Sequence, residues 1–431
     1  MLSIKGIYKD LKEFYSSCKA QDFAFYMLCA YLVFSYMRPQ VIYPSLNFLP
    51  WIQLSILLGL ALLFFKGNIR FQLIHFVMIL FFLVILASSY QSKYPDISFH
   101  HLSAYYIWII EVIFFTSCVR SLKQYHLLMV LFFLILFKMS LFGAKTWIER
   151  GFGFRDWGIA GPDGFFANSG EFSLLMAMLV VMGLTFILGH KKTNKLYFLL
   201  PITATMTVMG ASSRGGQLAL VAGLLIVAIV IGKLRLKNII LVFVSAFLII
   251  NLMPEEQKMR FSSAGEDSTS ESRLTYWNAG LDMMQKNKLL GIGYYGFPEE
   301  FYNHYSHLVV TKDTYLSNRR EVAHNTFIQI GSTLGYLGLI CYLWLIYLCF
   351  SLNRKTRKIL ASNSKTHITS WPYRYTIGLD AALIAYLMGS LFMSVAFYPY
   401  IYLMLMMSQS LKNCIEAEFP LKPNKLPLPY K

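Results

Sequence analysis

The chain has 431 residues, of which 56% are hydrophobic and only 14% charged. A soluble domain would carry nearer a quarter charged residues, and the apolar residues here gather in runs of the roughly 20 residues that a helix needs to cross a bilayer, with no polar face, which argues against a soluble helical bundle. The net charge of +17 would point to nucleic acid in a soluble protein, but in a membrane protein the charges must first be sorted by side.

Residues 1–22 carry Ile4, Ile7, Leu11 and Phe14 at helical spacing among Lys5, Lys9, Lys12 and Lys19, the pattern of a short amphipathic helix on the inner leaflet. No small-residue cleavage site follows the apolar run that opens near Phe23, so no cleavable signal peptide is expected. Spans are expected at 23–37, 49–65, 71–89, 103–119, 126–143, 171–189, 196–211, 216–232, 238–253, 327–351, 376–393 and 395–411. Lipid offers no partners for backbone groups, so these runs must be helices. The expected fold is an all-α polytopic membrane protein of about twelve spans. Helices occupy 23–253 and 327–411, a large, partly helical outer loop lies at 254–326, and a proline-rich tail runs from 412 to 431.

The inner loops 66–70, 120–123, 191–195, 233–237 and 354–374 are all basic, as are both tails, whereas acids and bases roughly cancel on the opposite side. This positive-inside pattern puts both termini in the cytoplasm and leaves no case for nucleic acid. Cys18, Cys29, Cys118, Cys341, Cys349 and Cys414 all fall in spans or on the inner side, and no CxxC or Cys/His ligand spacing appears, so no outer disulfide or zinc site is expected.

The outer loop holds an expected helix, with Ser268 and Glu271 as a capping box and Leu274, Trp277, Leu281 and Met284 along one face resting on lipid; Gly291 ends it. The string Gly291-Ile292-Gly293-Tyr294-Tyr295-Gly296 matches GxGxxG in letters only, since it follows a helix rather than a strand, and reads as a turn. Arg214 sits in the turn Ser212-Ser213-Arg214-Gly215-Gly216, where glycine permits close approach and the next helix offers free N–H groups to an anion. Arg273 opens the loop helix one turn before Trp277, a rigid mount for a guanidinium that binds phosphate, and Arg319 and Arg320 could assist. His324 precedes Asn325, a natural N-cap of the span that follows. A helix N-terminus disfavours imidazolium, so His324 suits a general base. Gly331, Gly335 and Gly338 read as close helix packing. Glu111 and Lys138 lie at similar depth in adjacent spans and are expected to pair with each other.

Three of these elements, in order, resemble the O-antigen ligase superfamily of membrane glycosyltransferases. They are the Arg214-Gly215 turn, the Arg273-x3-Trp277 helix start followed by Leu289-Leu290-Gly291-Ile292-Gly293, and His324-Asn325, nine residues, then Gly335-x-x-Gly338. The segment Gly161–Ser169 resembles the family's glycine-rich outer loop, and Gly170-Glu171 departs from the Asn or small polar residues usual there. The resemblance implies a GT-C-like fold in a bacterial inner membrane. It implies a metal-independent, inverting transfer, with no cofactor, on the periplasmic side. The donor would be an undecaprenyl-diphosphate-linked glycan and the acceptor a glycan, lipid or protein hydroxyl such as that of lipid A-core. Arg214, Arg273 and His324 would carry the catalysis, with Trp277, Arg319, Arg320 and Asn325 contacting substrate. The histidine motif favours a ligase over a polymerase or a protein O-oligosaccharyltransferase. A polysaccharide transporter is disfavoured, since neither paired half-chain repeats nor broken midplane helices are evident.

Overall fold

The structure, a computed structural model, describes residues 21–153, 158–190, 193–231, 268–309, 320–363 and 370–420, with isolated positions Lys12, Glu13, Ser16 and Lys258. The side chains of Ser268 and Thr269 also lie outside the described set. So do most of the expected N-terminal amphipathic helix, the expected span at 238–253, Arg319 and the end of the tail.

The described elements are helical, with no strand among them. The principal helices are α1 (Phe23–Leu32), α2 (Trp51–Phe65), α3 (Leu73–Tyr90), α4 (Ser103–Cys118), α5 (Leu122–Glu149), α6 (Ser169–Gly189), α7 (Leu199–Gly210), α8 (Arg214–Ile231), α9 (Ser268–Lys286), α10 (Phe297–His304), α11 (Thr326–Asn363), α12 (Trp371–Ser390) and α13 (Pro399–Glu418). A π-helical turn, Val33–Met37, extends α1 and stops at Arg38 in the left-handed region (φ 53°). Every expected span other than 238–253 coincides with one of these helices. Seven described helices are long and apolar enough to cross a membrane, and Phe23–Met37 and Lys195–Gly210 are shorter apolar ones. The chain is an all-α polytopic membrane protein.

Several helices outrun the expected span. α5 reaches Glu149, where Lys145 and Glu149 pair at 3.5 Å, and α13 continues past 412 to Glu418, where Lys412 and Glu416 pair at 2.6 Å. Such i,i+4 pairs support a helix after hydropathy has ended.

α6 and α13 form the centre of the bundle, and nearly all their side chains are buried. α6 packs on α12, α8 and α7, and α13 on α11 and α4. α2 and α3 turn Leu57, Phe64, Phe65, Phe76 and Leu83 outward, the apolar exposure expected of a lipid-facing rim.

Loops that the charge pattern assigned to one side meet at one end of the bundle. At the first end Trp277 packs on Phe392, Lys93 pairs with Glu300 at 2.7 Å, and Thr326 donates to the Met393 carbonyl at 2.7 Å. At the other, Gln72 donates to Asn413 at 2.7 Å, the Arg70 amide donates to Ser117 Oγ at 3.0 Å, and Arg374 donates to the Leu188 carbonyl.

The expected pairing of Glu111 with Lys138 does not occur. Glu111 faces inward and accepts the Tyr31 hydroxyl at 2.5 Å, whereas Lys138 is exposed on the rim of α5. Equal depth is not enough for pairing, because the two residues point to different sides of their helices, and a lysine stem can lie along apolar surroundings while its ammonium reaches polar groups.

Candidate active site

The chemistry-bearing residues gather around the loop 391–398 between α12 and α13, at the first end of the bundle. The N-termini of α6, α8 and α11 and the flank of α9 all approach this loop. On α8, Gly215, next to Arg214, lies where a Cβ would touch Phe392 Cβ at 3.1 Å and Met393 Cε at 3.2 Å. On α9, Trp277 lies against Phe392 with ring centroids 6.5 Å apart. On α11, the Thr326 hydroxyl donates to the Met393 carbonyl and accepts the Val395 amide at 3.0 Å. At the head of α6, the backbone carbonyl of Glu171 takes the Tyr400 hydroxyl at 2.6 Å, just beyond the loop.

Asn325 caps α11 as expected, its Oδ1 accepting the amides of Phe327 at 3.0 Å and Ile328 at 3.2 Å. His324, one residue earlier, is in the left-handed region (φ 48°). That turn holds the imidazole beside the Tyr276 ring, with centroids 5.9 Å apart, and its Nε2 3.4 Å from Glu321 Oε2. An ionised carboxylate can only accept, so Nε2 carries the proton in that contact and Nδ1 holds the basic lone pair. The Glu171 carboxylate is close enough to interact with His324 electrostatically. Glu321, Tyr276 and Glu171 are thus members of the site that were not assigned a role from sequence. Of these only Glu171 left a signal there, as the departure from the family's small polar residues.

Arg214 begins α8 and is half-buried, with Ser213 Oγ accepting the Gly216 amide at 3.3 Å. Arg273 is half-buried on α9 one turn before Trp277, and both arginines engage neighbouring groups. The face of α9 packed on the protein includes Ser272, Tyr276, Ala279 and Met283, Trp277 and Met284 lie against Phe392 and Gly331, and Leu274 and Leu281, expected to rest on lipid, are 53% and 47% exposed. Small residues decide this, since Ser272, Ala279 and Gly280 let α9 approach α11, with Gly280 lying against Ile328. Arg320 is engaged elsewhere: it pairs with Glu299 and lies over the Tyr302 ring at 5.1 Å, both on α10.

Several buried polar atoms around the loop have no hydrogen-bond partner among the described residues. They include Trp277 Nε1, Glu171 Oε2, Ser173 Oγ and Ser394 Oγ. Such groups are costly unless something fills the space. Burial, and then the Glu171 carboxylate, push the Tyr398 phenol up to about 12, so it stays a donor. Among the described residues no three or more His, Cys, Asp or Glu side chains are grouped to hold a metal ion.

The glycines of the last motif do more than pack. α11 is broken at Gly335 (φ 64°, ψ −166°), and the groups freed by the break are taken by the strip after α9. The amides of Tyr336 and Leu337 donate to the carbonyls of Lys288 and Leu289 at 2.8 and 3.3 Å, and the amides of Ile292 and Gly293 donate to the carbonyls of Ser332 and Thr333 at 3.0 and 3.1 Å. This corrects the expectation of simple helix packing at Gly335, and of no broken spanning helix. The GxGxxG string is a turn, as expected, but one whose backbone clamps α11, with Gly291 and Gly293 at φ 68° and 119°.

A family model described as O-antigen ligase matches residues 196–343. No curated protein matches the chain. The match runs from α7 into α11 and takes in Arg214, Arg273, Trp277, His324, Asn325 and the clamped break at Gly335, so over this part the chain is similar to the O-antigen ligase superfamily.

Proposed function

We propose that this membrane glycosyltransferase moves a glycan from undecaprenyl diphosphate to an acceptor hydroxyl, as an O-antigen ligase does, with lipid A-core as the acceptor class. The basic end of the bundle faces the cytoplasm and the His324 end the periplasm of a bacterial inner membrane. The observation that carries the reading is the convergence of the Arg214 turn, the Arg273–Trp277 helix and the His324–Asn325 cap on the single loop 391–398. The acceptor oxygen attacks the anomeric carbon from the face opposite the diphosphate, a new C–O bond forms, and the old one breaks with inversion. The acceptor's proton passes to His324 Nδ1, while Glu321 orients the ring through Nε2. The diphosphate leaves with the bonding pair, and its growing charge is met by Arg214 and Arg273, whose contribution is therefore greater in the transition state than in the bound donor.

The test is reconstitution with purified lipid-linked glycan and acceptor, with donor binding and turnover measured separately. His324→Ala should lower turnover by about 10²–10⁴-fold while donor binding persists. Arg→Lys at 214 or 273 should be nearly as damaging as Arg→Ala, because the planar fork is lost though the charge remains. Near wild-type turnover by inserted His324→Ala protein would remove the general base. Deletion in cells that leaves lipid-linked polymer intact but removes lipid A-linked chains supports a ligase, and single-repeat chains would instead indicate a polymerase.

A further inference from the structure

α4 carries a second polar feature that the transfer step does not use. His101, Ser103, Ala104, Ile107, Trp108 and Glu111 line a cavity of about 310 Å³, closed on one side by Phe165 of the Gly161–Ser169 segment. Its volume is at the small end of ligand pockets, enough for a compact ligand such as one sugar ring. Glu111 lies eight residues along α4 from Ser103, about 12 Å into the bundle at the helical rise. It is only 5% exposed, and of its two oxygens Oε2 holds the Tyr31 hydroxyl. Nearer the mouth, His101 Nδ1 lies 2.8 Å from the Ile97 carbonyl and its ring stacks on Tyr295 with centroids 4.3 Å apart. A carbonyl can only accept, so Nδ1 carries the proton and Nε2 of the neutral ring offers a lone pair. The walls thus present acceptors at two depths, a Ser103 hydroxyl, and aromatic surface from Phe165.

This set discriminates between ligands. An alkyl chain would bury the carboxylate and imidazole without replacing their hydrogen bonds. A phosphate would find no lysine or arginine among the lining residues to balance its charge. A neutral ligand rich in hydroxyl donors satisfies the acceptors and lays its C–H face on the aromatic wall. The cavity also adjoins the catalytic loop from the other side. Trp108 Nε1 donates to the Phe397 carbonyl at 3.0 Å, and Phe165 packs on Tyr398 at 5.3 Å, whereas Phe392 and Met393 of the same loop face Trp277 and Thr326. Phe397 lies four steps along the chain from Met393, a distance of at most about 14 Å.

We infer that this cavity is a saccharide subsite, in which Glu111 and His101 accept hydroxyls from one sugar ring of a glycan whose reacting end lies across the 391–398 loop. The inference rests on the glycosyltransferase reading for its ligand. The ring could belong to the donor glycan or to the acceptor.

Two water-soluble probes separate these sources: the oligosaccharide freed by mild acid from the host's lipid-linked glycan, and the core oligosaccharide freed from lipid A. Each is titrated against the full chain in nanodiscs by saturation-transfer NMR. At least one should bind the wild type saturably. Ala104→Phe, which fills the cavity, and Glu111→Gln, which keeps an acceptor for Tyr31 but replaces the other oxygen by an amide donor, should each weaken that probe by about ten- to a hundredfold. Thermal melting in the same nanodiscs reports folding, and Ile107→Phe serves as the second filler should Ala104→Phe not fold. If neither probe binds the wild type, or if a folded filled variant binds with unchanged affinity, the subsite is overturned. Saccharide binding without turnover would instead leave the subsite standing and overturn the transferase reading.

Discussion

Asn325 shows how a residue inside a motif shared with a family can act on the backbone. Its side-chain oxygen is committed to the first amides of α11, and the residue is buried. Asn325→Ala should therefore cost about 0.5–2 kcal/mol of stability, whereas Asn325→Asp or Asn325→Ser, which also cap, should restore most of it. The check is thermal melting alongside turnover. If the capping substitutions recover stability but not turnover, Asn325 has a direct role with substrate as well. His324, by contrast, was singled out from the sequence for its place at a helix N-terminus, and only part of its setting was legible. The helix N-terminus was visible in the sequence. Glu321 three residues earlier and Tyr276 from another helix were not, because a left-handed turn and a tertiary contact set those partners. The partner of Arg320 was hidden for the same reason: which acid a loop arginine meets depends on how the loop folds, and here it is Glu299.

At the scale of the element, span positions could be read because lipid enforces helix wherever an apolar run is long enough. What periodicity left hidden was the break in α11. A run of apolar residues with Gly335 inside it reads as a helix, since nothing local says that a second strip will supply its freed amides and carbonyls. Gly335 has a backbone conformation that only glycine adopts readily, and a Cβ there would collide with the Leu289 carbonyl. Gly335→Ala should cost about 1–3 kcal/mol from the backbone conformation alone, and more from the collision. Gly338→Ala should be milder, because Gly338 has no positive φ, although its Cβ would press on Leu334 Cβ of the same helix. Melting of the two purified variants checks the order, and a more stable Gly335→Ala would contradict the clamp. The loop helix α9 teaches a related lesson. Its Ser272–Ala279 face carries small residues that admit α11, a partner that the sequence did not identify.

Across the whole molecule, the alternation of loops was legible from charge alone, and the structure groups the same loops at two ends. The orientation leads to a labelling experiment. His307 and Ser362 are both exposed, on loops assigned to opposite sides. A membrane-impermeant maleimide should label His307→Cys from the periplasm, and Ser362→Cys only after the inner membrane is opened. The described native cysteines are buried or half-buried, which lowers the background. The reverse pattern would invert the bundle and put His324 in the cytoplasm. Sequence could not supply the convergence itself. The loop 391–398, which gathers α6, α8, α9 and α11, falls where the expected spans 376–393 and 395–411 nearly meet, and its importance lies in what docks on it rather than in its own residues.

The clamped break gives the spacing within the last motif a mechanical meaning. Between the capped start at Thr326 and the pin at Gly335, α11 is a short rigid strut, held at one end by the 288–293 strip and carrying His324 at the other. A helix turns about 100° and advances about 1.5 Å with each residue. One residue more or fewer in the strut would therefore swing the imidazole most of the way to a neighbouring face, whatever that residue was. The intervening side chains can vary in kind while their number is fixed: the stretch works as a ruler, and the count of residues, more than their identity, aims the imidazole.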